Sequence, residues 1–320
     1  MERNGKKKKF VHSVVMQRLE FGSKDSSDEE KDFCKLLNRS TLSLCYGLPT
    51  SLRTEAVLFL YKYSESSLIG GFDFLRRYYG PSYSILYWIN ESAQALPWED
   101  SWLTLLLESH SCALLLHSLD DHLSDGSLKA NHTILQLRTE AWTRYAQASK
   151  LFGKEIHGGV SILDEFIDRY FKTINDSSLL ENLEAHLTRF RSQMATWSLQ
   201  PYLLSRSYFS KDQAEVVLKM YESFGISWRL LDDYQDLQED LENEEISSMT
   251  YFLPEGKRSE WGSEKKEEII RFFQDIQLEK QVSDLVNSYL SDSARMADEL
   301  HLTEYSESLK SLMISEPSPA

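Results

Sequence analysis

Along most of this chain apolar residues return at three- and four-residue steps, the spacing of one helix face, and not in the alternation of a strand. Such segments lie near 29–46, 52–64, 72–79 and 82–95, with turn signals GLPTS at 47–51, IGG at 69–71 and YGPS at 79–82 between them. PWED at 97–100 opens the next helix, which is apolar from Trp102 to Leu119 and stops at Asp125-Gly126. Asn131 caps a helix over 132–152, and Gly158-Gly159 separates it from another near 160–174. Ser178 with Glu181, and Ser210 with Gln213, have the spacing of capping boxes, for helices over 179–204 and from 211 onward. Residues 243–262 form a loop with Pro254, Gly256 and Gly262, and helices near 264–290 and 292–312 follow. The pattern predicts an all-α, single-domain bundle of about ten helices over 28–312, between flexible tails at 1–27 and 313–320. No strand and no internal repeat emerges.

Composition sharpens this. Only 13 Gly and 7 Pro among 320 residues leave the helices few breakers. A formal net charge of −15 excludes nucleic acid as a partner, because phosphates need a basic surface. It leaves open a small phosphorylated ligand whose charge is met by metal ions. Cys34, Cys45 and Cys112 have no paired spacing and read as reduced thiols of a cytoplasmic protein. The basic run Lys6 to Lys9 lacks a following apolar core, so it reads as a solvated tail with weak attraction to anionic lipid. The stretch Trp102–Leu119 carries Glu108, His110 and His117, which makes it a buried helix and a poor transmembrane segment.

Two acidic clusters end two of the apolar helices. The first, LLLHSLDDHLSDG, holds Asp120, Asp121 and Asp125; the second, FGISWRLLDDYQDLQED, holds Asp232, Asp233, Asp236, Glu239 and Asp240. Residues four apart share a helix face, so Asp121 pairs with Asp125, and Asp232, Asp236 and Asp240 form a row. Like charges so placed cost a bare helix roughly 0.2–0.5 kcal/mol per pair. Doing this twice beside apolar surface points to bound cations, and hard oxygen donors point to Mg²⁺. Asp233 lies about 100° round the helix and takes a supporting role. Each cluster alone also fits a solvated helix end, and it is their joint occurrence that favours a metal site.

The run Gly225-Ile-Ser-Trp228-Arg229-Leu-Leu-Asp232-Asp233-Tyr-Gln-Asp236, with Asp240, resembles the second aspartate-rich motif of trans-prenyltransferases, with Trp228 and Arg229 in place of Phe and Gln. Asp120, Asp121 and Asp125 resemble the first motif with one residue inserted, and RSQMA at 191–195 stands where the family has a Lys-Thr pair. The resemblance spans roughly 100–255. It implies the class I isoprenoid synthase fold, a prenyl diphosphate substrate and Mg²⁺. On this basis Asp120, Asp121, Asp125, Asp232, Asp236 and Asp240 would hold metal. Asp120, Asp121, Asp232 and Asp236 would carry the ionisation, and Arg191, Arg229 and Lys129 would contact diphosphate. Between these groups a central apolar cavity would house the hydrocarbon, its floor set by Cys112, Leu115 and Leu116, so that Leu115→Phe would shorten the accepted chain. Related folds are often homodimers.

The chain departs from that family in instructive places. Gly70-Gly71-Phe72-Asp73-Phe74 lacks the Lys and Arg of a second diphosphate site, although Arg76 and Arg77 follow. Asp236-Leu-Gln-Glu239-Asp240 and Tyr251-Phe-Leu-Pro254 are similar to features of head-to-head squalene and phytoene synthases. Three outcomes of ionising an allylic diphosphate therefore stay open: prenyl transfer, cyclisation and head-to-head coupling. A non-catalytic helical binding or regulatory protein on the same scaffold is the alternative, and a filled cavity or a broken metal site would be its hallmark.

Overall fold

The computed structural model describes residues 18–315 apart from 68, 95–99, 125, 175 and 177. Within these the chain forms thirteen α-helices and no strand beyond one isolated bridge between Ser67 and Gly71. The first six are α1 (Asp28–Gly47), α2 (Thr50–Tyr63), α3 (Gly80–Ser92), α4 (Ser101–Ser124), α5 (His132–Lys154) and α6 (Gly159–Thr173). Then come α7 (Leu183–Gln193), α8 (Ala195–Tyr208), α9 (Lys211–Gln235), α10 (Leu237–Asn243), α11 (Lys266–Asp275), α12 (Leu278–Glu299) and α13 (Thr303–Ser311).

Local chemistry explains most boundaries. At α9 the Gln213 backbone N–H donates to Ser210 Oγ (3.2 Å) and the Ser210 N–H donates to Gln213 Oε1 (3.1 Å), which satisfies two orphan donors of the first turn. Asn131 caps α5 through Ile134 N–H (2.9 Å). The box expected at Ser178 and Glu181 is absent. Both the backbone N–H and the hydroxyl of Ser178 donate to Asp176 Oδ1, at 3.0 and 2.6 Å, so a local turn competes with the helix. The helix starts only at Leu183, capped by Asn182, and it breaks at Met194 into α7 and α8. The helix expected over 72–79 shrinks to a single 3₁₀ turn, Leu75–Arg77. The start signal at Pro97 to Glu99 lies outside the described residues.

Two long helices carry the acidic clusters to the same end of the bundle. α4 is apolar on nearly all sides and buried on nearly all sides. It packs on α1, α5 and α8, while α9 packs on α3, α7, α8 and α12, so α8 lies between the two. Gly225 lets α9 approach closely. A Cβ there would stand 2.0 Å from Met194 Cε and 3.3 Å from Trp197 Cη2.

The tail expected over 1–27 is ordered in its described part. Residues 18–27 form an extended strap with Leu19 buried and the Phe21 ring edge-on to Tyr79 at 4.6 Å. The Gly22 N–H donates to the Leu312 carbonyl (3.1 Å), and Gln235 Nε2, the last residue of α9, donates to the Leu19 carbonyl (2.8 Å). Apolar Leu19 and Phe21 give this segment something to bury, which a purely polar tail lacks. Residues 1–17, including Lys6 to Lys9, lie outside the described residues, as do 316–320. No described helix is long and apolar enough to cross a membrane.

Candidate active site

At the shared end of α4 and α9, Asp121 from the first cluster and Asp232 and Asp236 from the second line one cleft of about 320 Å³. His117, one turn before Asp121, and Trp228, one turn before Asp232, are also in its wall, as helical spacing requires. A second cleft of about 390 Å³ adjoins it, and His117, Asp121, Phe190 and Arg229 line both. Arg229 thus stands in the dividing wall, its guanidinium 5.6 Å from the Phe190 ring centre.

Neighbouring aspartates divide into two kinds. Asp120 is 4 % exposed, and both its oxygens are engaged: Arg138 reaches it with Nε and Nη2, the latter at 3.0 Å, and Tyr170 Oη donates at 2.6 Å. The metal-ligand and catalytic roles expected for Asp120 do not match this geometry. One residue is about 100° of helix, which turns Asp120 into the α5–α6 side while Asp121 faces the cleft. Asp233 repeats the arrangement in α9. It is buried, accepts Arg229 Nε (2.7 Å) and accepts the Ser248 backbone N–H (2.7 Å), anchoring the 3₁₀ turn Ser248–Phe252. Asp125 lies outside the described residues.

The remaining second-cluster carboxylates carry strained charge. Burial pushes Asp232 up to about 7, with Asp233, Asp236 and Asp121 adding to the shift and Arg229 opposing it. Burial, then Asp233, pushes Asp240 up to about 8, and its Oδ2 is buried without a hydrogen-bond partner. Asp236 is also raised, by burial and then by Glu239 and Asp233. α9 ends at Gln235 and α10 begins at Leu237, so the row bends at Asp236, but the i to i+4 backbone bonds continue through Asp236 and Asp240 (both 2.9 Å). Burial alone would lower Arg229, yet Asp233, Asp121, Asp232 and Asp240 hold its charge firmly. His117 is pushed down by burial despite Asp121, and His186 is pushed down to about 4, chiefly by burial, so both rings are neutral at pH 7.

These carboxylates suit Mg²⁺ in kind: they are hard oxygen donors on two facing helices, two of them pushed toward neutrality without a cation, one with an orphaned oxygen. Among the described residues no three His, Cys, Asp or Glu side chains already converge on one metal-sized point.

The basic residues are distributed differently from the expectation. Arg229 lines both clefts. Arg191 does not: its Nη1 donates to Glu184 Oε1 (2.9 Å) and Thr188 Oγ1 (3.3 Å), outside both clefts. Two residues earlier, Arg189 lines the second cleft, buried, with Nη1 donating to the Ser178 carbonyl (2.7 Å). Lys129 is exposed on the loop after α4 and lines neither cleft. Arg77 lines the first cleft, tied to Glu65 at 2.7 Å. Sequence reasoning set aside Arg189 and Arg77. Arg189 and Arg191, two residues or about 200° apart on α7, face different ways, and Arg77 sits in the 3₁₀ turn Leu75–Arg77.

Among the described residues, the expected floor of the central apolar cavity is packed. Leu114, Leu115 and Leu116 are 0 % exposed and Cys112 is 1 % exposed, so no water-sized space adjoins the expected floor. Tyr251 of the squalene-synthase-like segment does structural work, accepting the Leu180 N–H (2.9 Å).

No family model and no curated protein matches the chain. Solved structures do. A geranylgeranyl pyrophosphate synthetase from the archaeon Geoglobus acetivorans matches with TM-score 0.64 at 14% identity, over 88% of this chain and 97% of that one. This chain has the fold of the prenyl diphosphate synthases. A polyprenyl synthetase from Streptomyces coelicolor (TM-score 0.61, 10% identity, 89% and 98% covered) is similar in the same way. So is a geranylgeranyl pyrophosphate synthetase from Pyrococcus horikoshii (TM-score 0.59, 10% identity, 88% and 97% covered). The all-α class I isoprenoid synthase architecture expected from the two motifs is the one observed.

Proposed function

We propose that the chain is a Mg²⁺-dependent isoprenoid synthase that ionises an allylic prenyl diphosphate at the paired clefts. The observation that carries this reading is the meeting of Asp121 from α4 with Asp232 and Asp236 from α9 across one cleft, with Arg229 in its wall. The C1–O bond breaks heterolytically, its electron pair leaving with diphosphate and an allylic cation remaining. Bound Mg²⁺ would neutralise the departing charge. Asp121, Asp232, Asp236 and Asp240 are the carboxylates for that ion, and Asp125 belongs to the same proposal. Arg229 and Arg189 contact the diphosphate, and the neutral rings of His117 and His186 add hydrogen-bonding capacity without charge.

Arg77 and Arg229 are the cations of the first cleft among the described residues, and each is already paired with a carboxylate. That is thin provision for a second diphosphate, and it favours a single-diphosphate substrate, meaning cyclisation or transfer to a non-diphosphate acceptor. A non-catalytic binding role is the second reading, favoured by the packed interior and by the engagement of Asp120.

One assay separates them: diphosphate release from geranyl, farnesyl and geranylgeranyl diphosphates, with and without Mg²⁺ and isopentenyl diphosphate. Metal-dependent release without isopentenyl diphosphate is the expected result. Release only in its presence would point to elongation, and none under any condition would leave the binding role.

A further inference from the structure

Immediately behind the clefts lies a wall of aromatic rings. His117 stacks on Trp197 with centroids 5.4 Å apart and planes at 28°. Trp228 stands edge-on to Trp197 (6.0 Å), to His117 (6.2 Å), to Tyr78 (5.3 Å) and to Tyr79 (5.9 Å). Trp197 is 0 % exposed, and Leu114, Leu115 and Leu116 beyond it are equally closed. On the other flank Met194 fills the space that Gly225 vacates. In the first cleft the rings of Tyr78, His117, Phe190 and Trp228 supply the apolar wall.

We propose that Trp228 determines specificity by closing the fold's interior to long chains, so that the site takes allylic diphosphates of one or two isoprene units. This rests on the reading under Proposed function. Trp228 is the pivotal member because it belongs to both worlds. It is half-buried in the cleft wall, one turn before Asp232 on the same helix face, and it touches each of the other rings. His117 lines the clefts as well, stacked on the closed Trp197, whereas Trp228 is the cleft-wall ring that meets Tyr78, Tyr79, His117 and Trp197 together. A chain of three or four isoprene units would have to displace it together with its five ring contacts, Phe224 at 6.4 Å included. A chain of one or two units can lie against its face. Rejection of this kind works by steric exclusion, so it falls on the longer substrates alone.

The test compares the Mg²⁺-loaded protein with Trp228→Ala and, as a milder truncation, Trp228→Leu. The readout is the ratio of kcat/KM for diphosphate release from farnesyl against dimethylallyl diphosphate. The wild-type ratio is expected to favour the short substrate by at least about tenfold, and each variant is expected to raise the ratio by at least about tenfold. Wild-type protein that handles farnesyl and geranylgeranyl diphosphates as well as dimethylallyl diphosphate would overturn the inference while leaving the proposed function standing. So would variants, folded by thermal melting, that leave the ratio where it was. If no substrate is ionised, the proposed function fails, and calorimetric binding of the unreactive thiolodiphosphates of the same chain lengths reads the gate directly. Equal affinity of wild type for the dimethylallyl and farnesyl compounds would then refute it.

Discussion

The two acidic clusters look alike as strings of letters and are built alike as structures, but the role of a given aspartate depends on helix phase. In α4, Asp120 turns inward to Arg138 and Tyr170 while Asp121 faces the cleft. In α9, Asp233 turns inward to Arg229 and Ser248 while Asp232 faces the cleft. Each cluster therefore has one carboxylate that fixes the helix end and a neighbour that faces the cleft. The clusters differ in where the fixing cation sits. Arg138 comes from α5, outside the clefts, whereas Arg229 is in the cleft wall itself. The second cluster thus couples its anchor to the site, and the first does not.

The largest expected effect breaks the first anchor. Arg138→Ala leaves Asp120 buried without its cation and should cost about 3–5 kcal/mol in denaturant unfolding, while Asp121→Asn should cost little. Equal losses would mean that the two positions are not divided as described. Next comes Asp233→Ala, which strands the Ser248 N–H and releases Arg229. A loss of about 1–3 kcal/mol is expected, together with a changed substrate KM, because here the anchor is also part of the cleft. A stability loss with an unmoved KM would remove the coupling that distinguishes the second cluster.

A smaller effect concerns pH. Folding raises Asp232 from 3.8 to about 7 and Asp240 from 3.8 to about 8, so the folded state binds these protons more tightly than the unfolded one. The metal-free protein should therefore lose stability as pH rises from about 4 through 8, and the Asp232→Asn protein should lose less. Mg²⁺ competes with those protons, so it should raise the Tm more at about pH 8 than at about pH 6. A metal-induced shift that is independent of pH would place the ion elsewhere. The smallest expected effect is Arg191→Ala, within about 0.5 kcal/mol of wild type and with diphosphate release intact, in contrast to Arg189→Ala, which should raise the KM.

Much of this was legible beforehand. Helical periodicity and scarce breakers revealed the all-α bundle, and residues of the two clusters do meet at one cleft. What stayed hidden depended on phase and register. Both Asp120 and Asp121 satisfy an aspartate-rich motif, and only the position of Arg138 and Tyr170, 18 and 50 residues away, decides which one is sequestered. Arg191 fits the motif position, but α7 is packed so that Arg189 lines the cleft while Arg191 pairs with Glu184. The lack of aromatics at Leu115 and Leu116 suggested room for a longer chain. Both side chains are instead fully buried, which depends on what the rest of the fold packs against α4.

The strap at the amino end has a practical corollary for anyone shortening the chain. Cutting just ahead of α1, at residue 28, seems a natural choice because it is where the helices begin. It would delete the carbonyl of Leu19 that receives the Gln235 amide and the Phe21 ring that props Tyr79 against Trp228. A trimmed protein would lose the Ser27 cap of α1 and the brace on the segment leading into Asp236, so the residues ahead of the first helix belong in any preparation meant to keep the cleft as described.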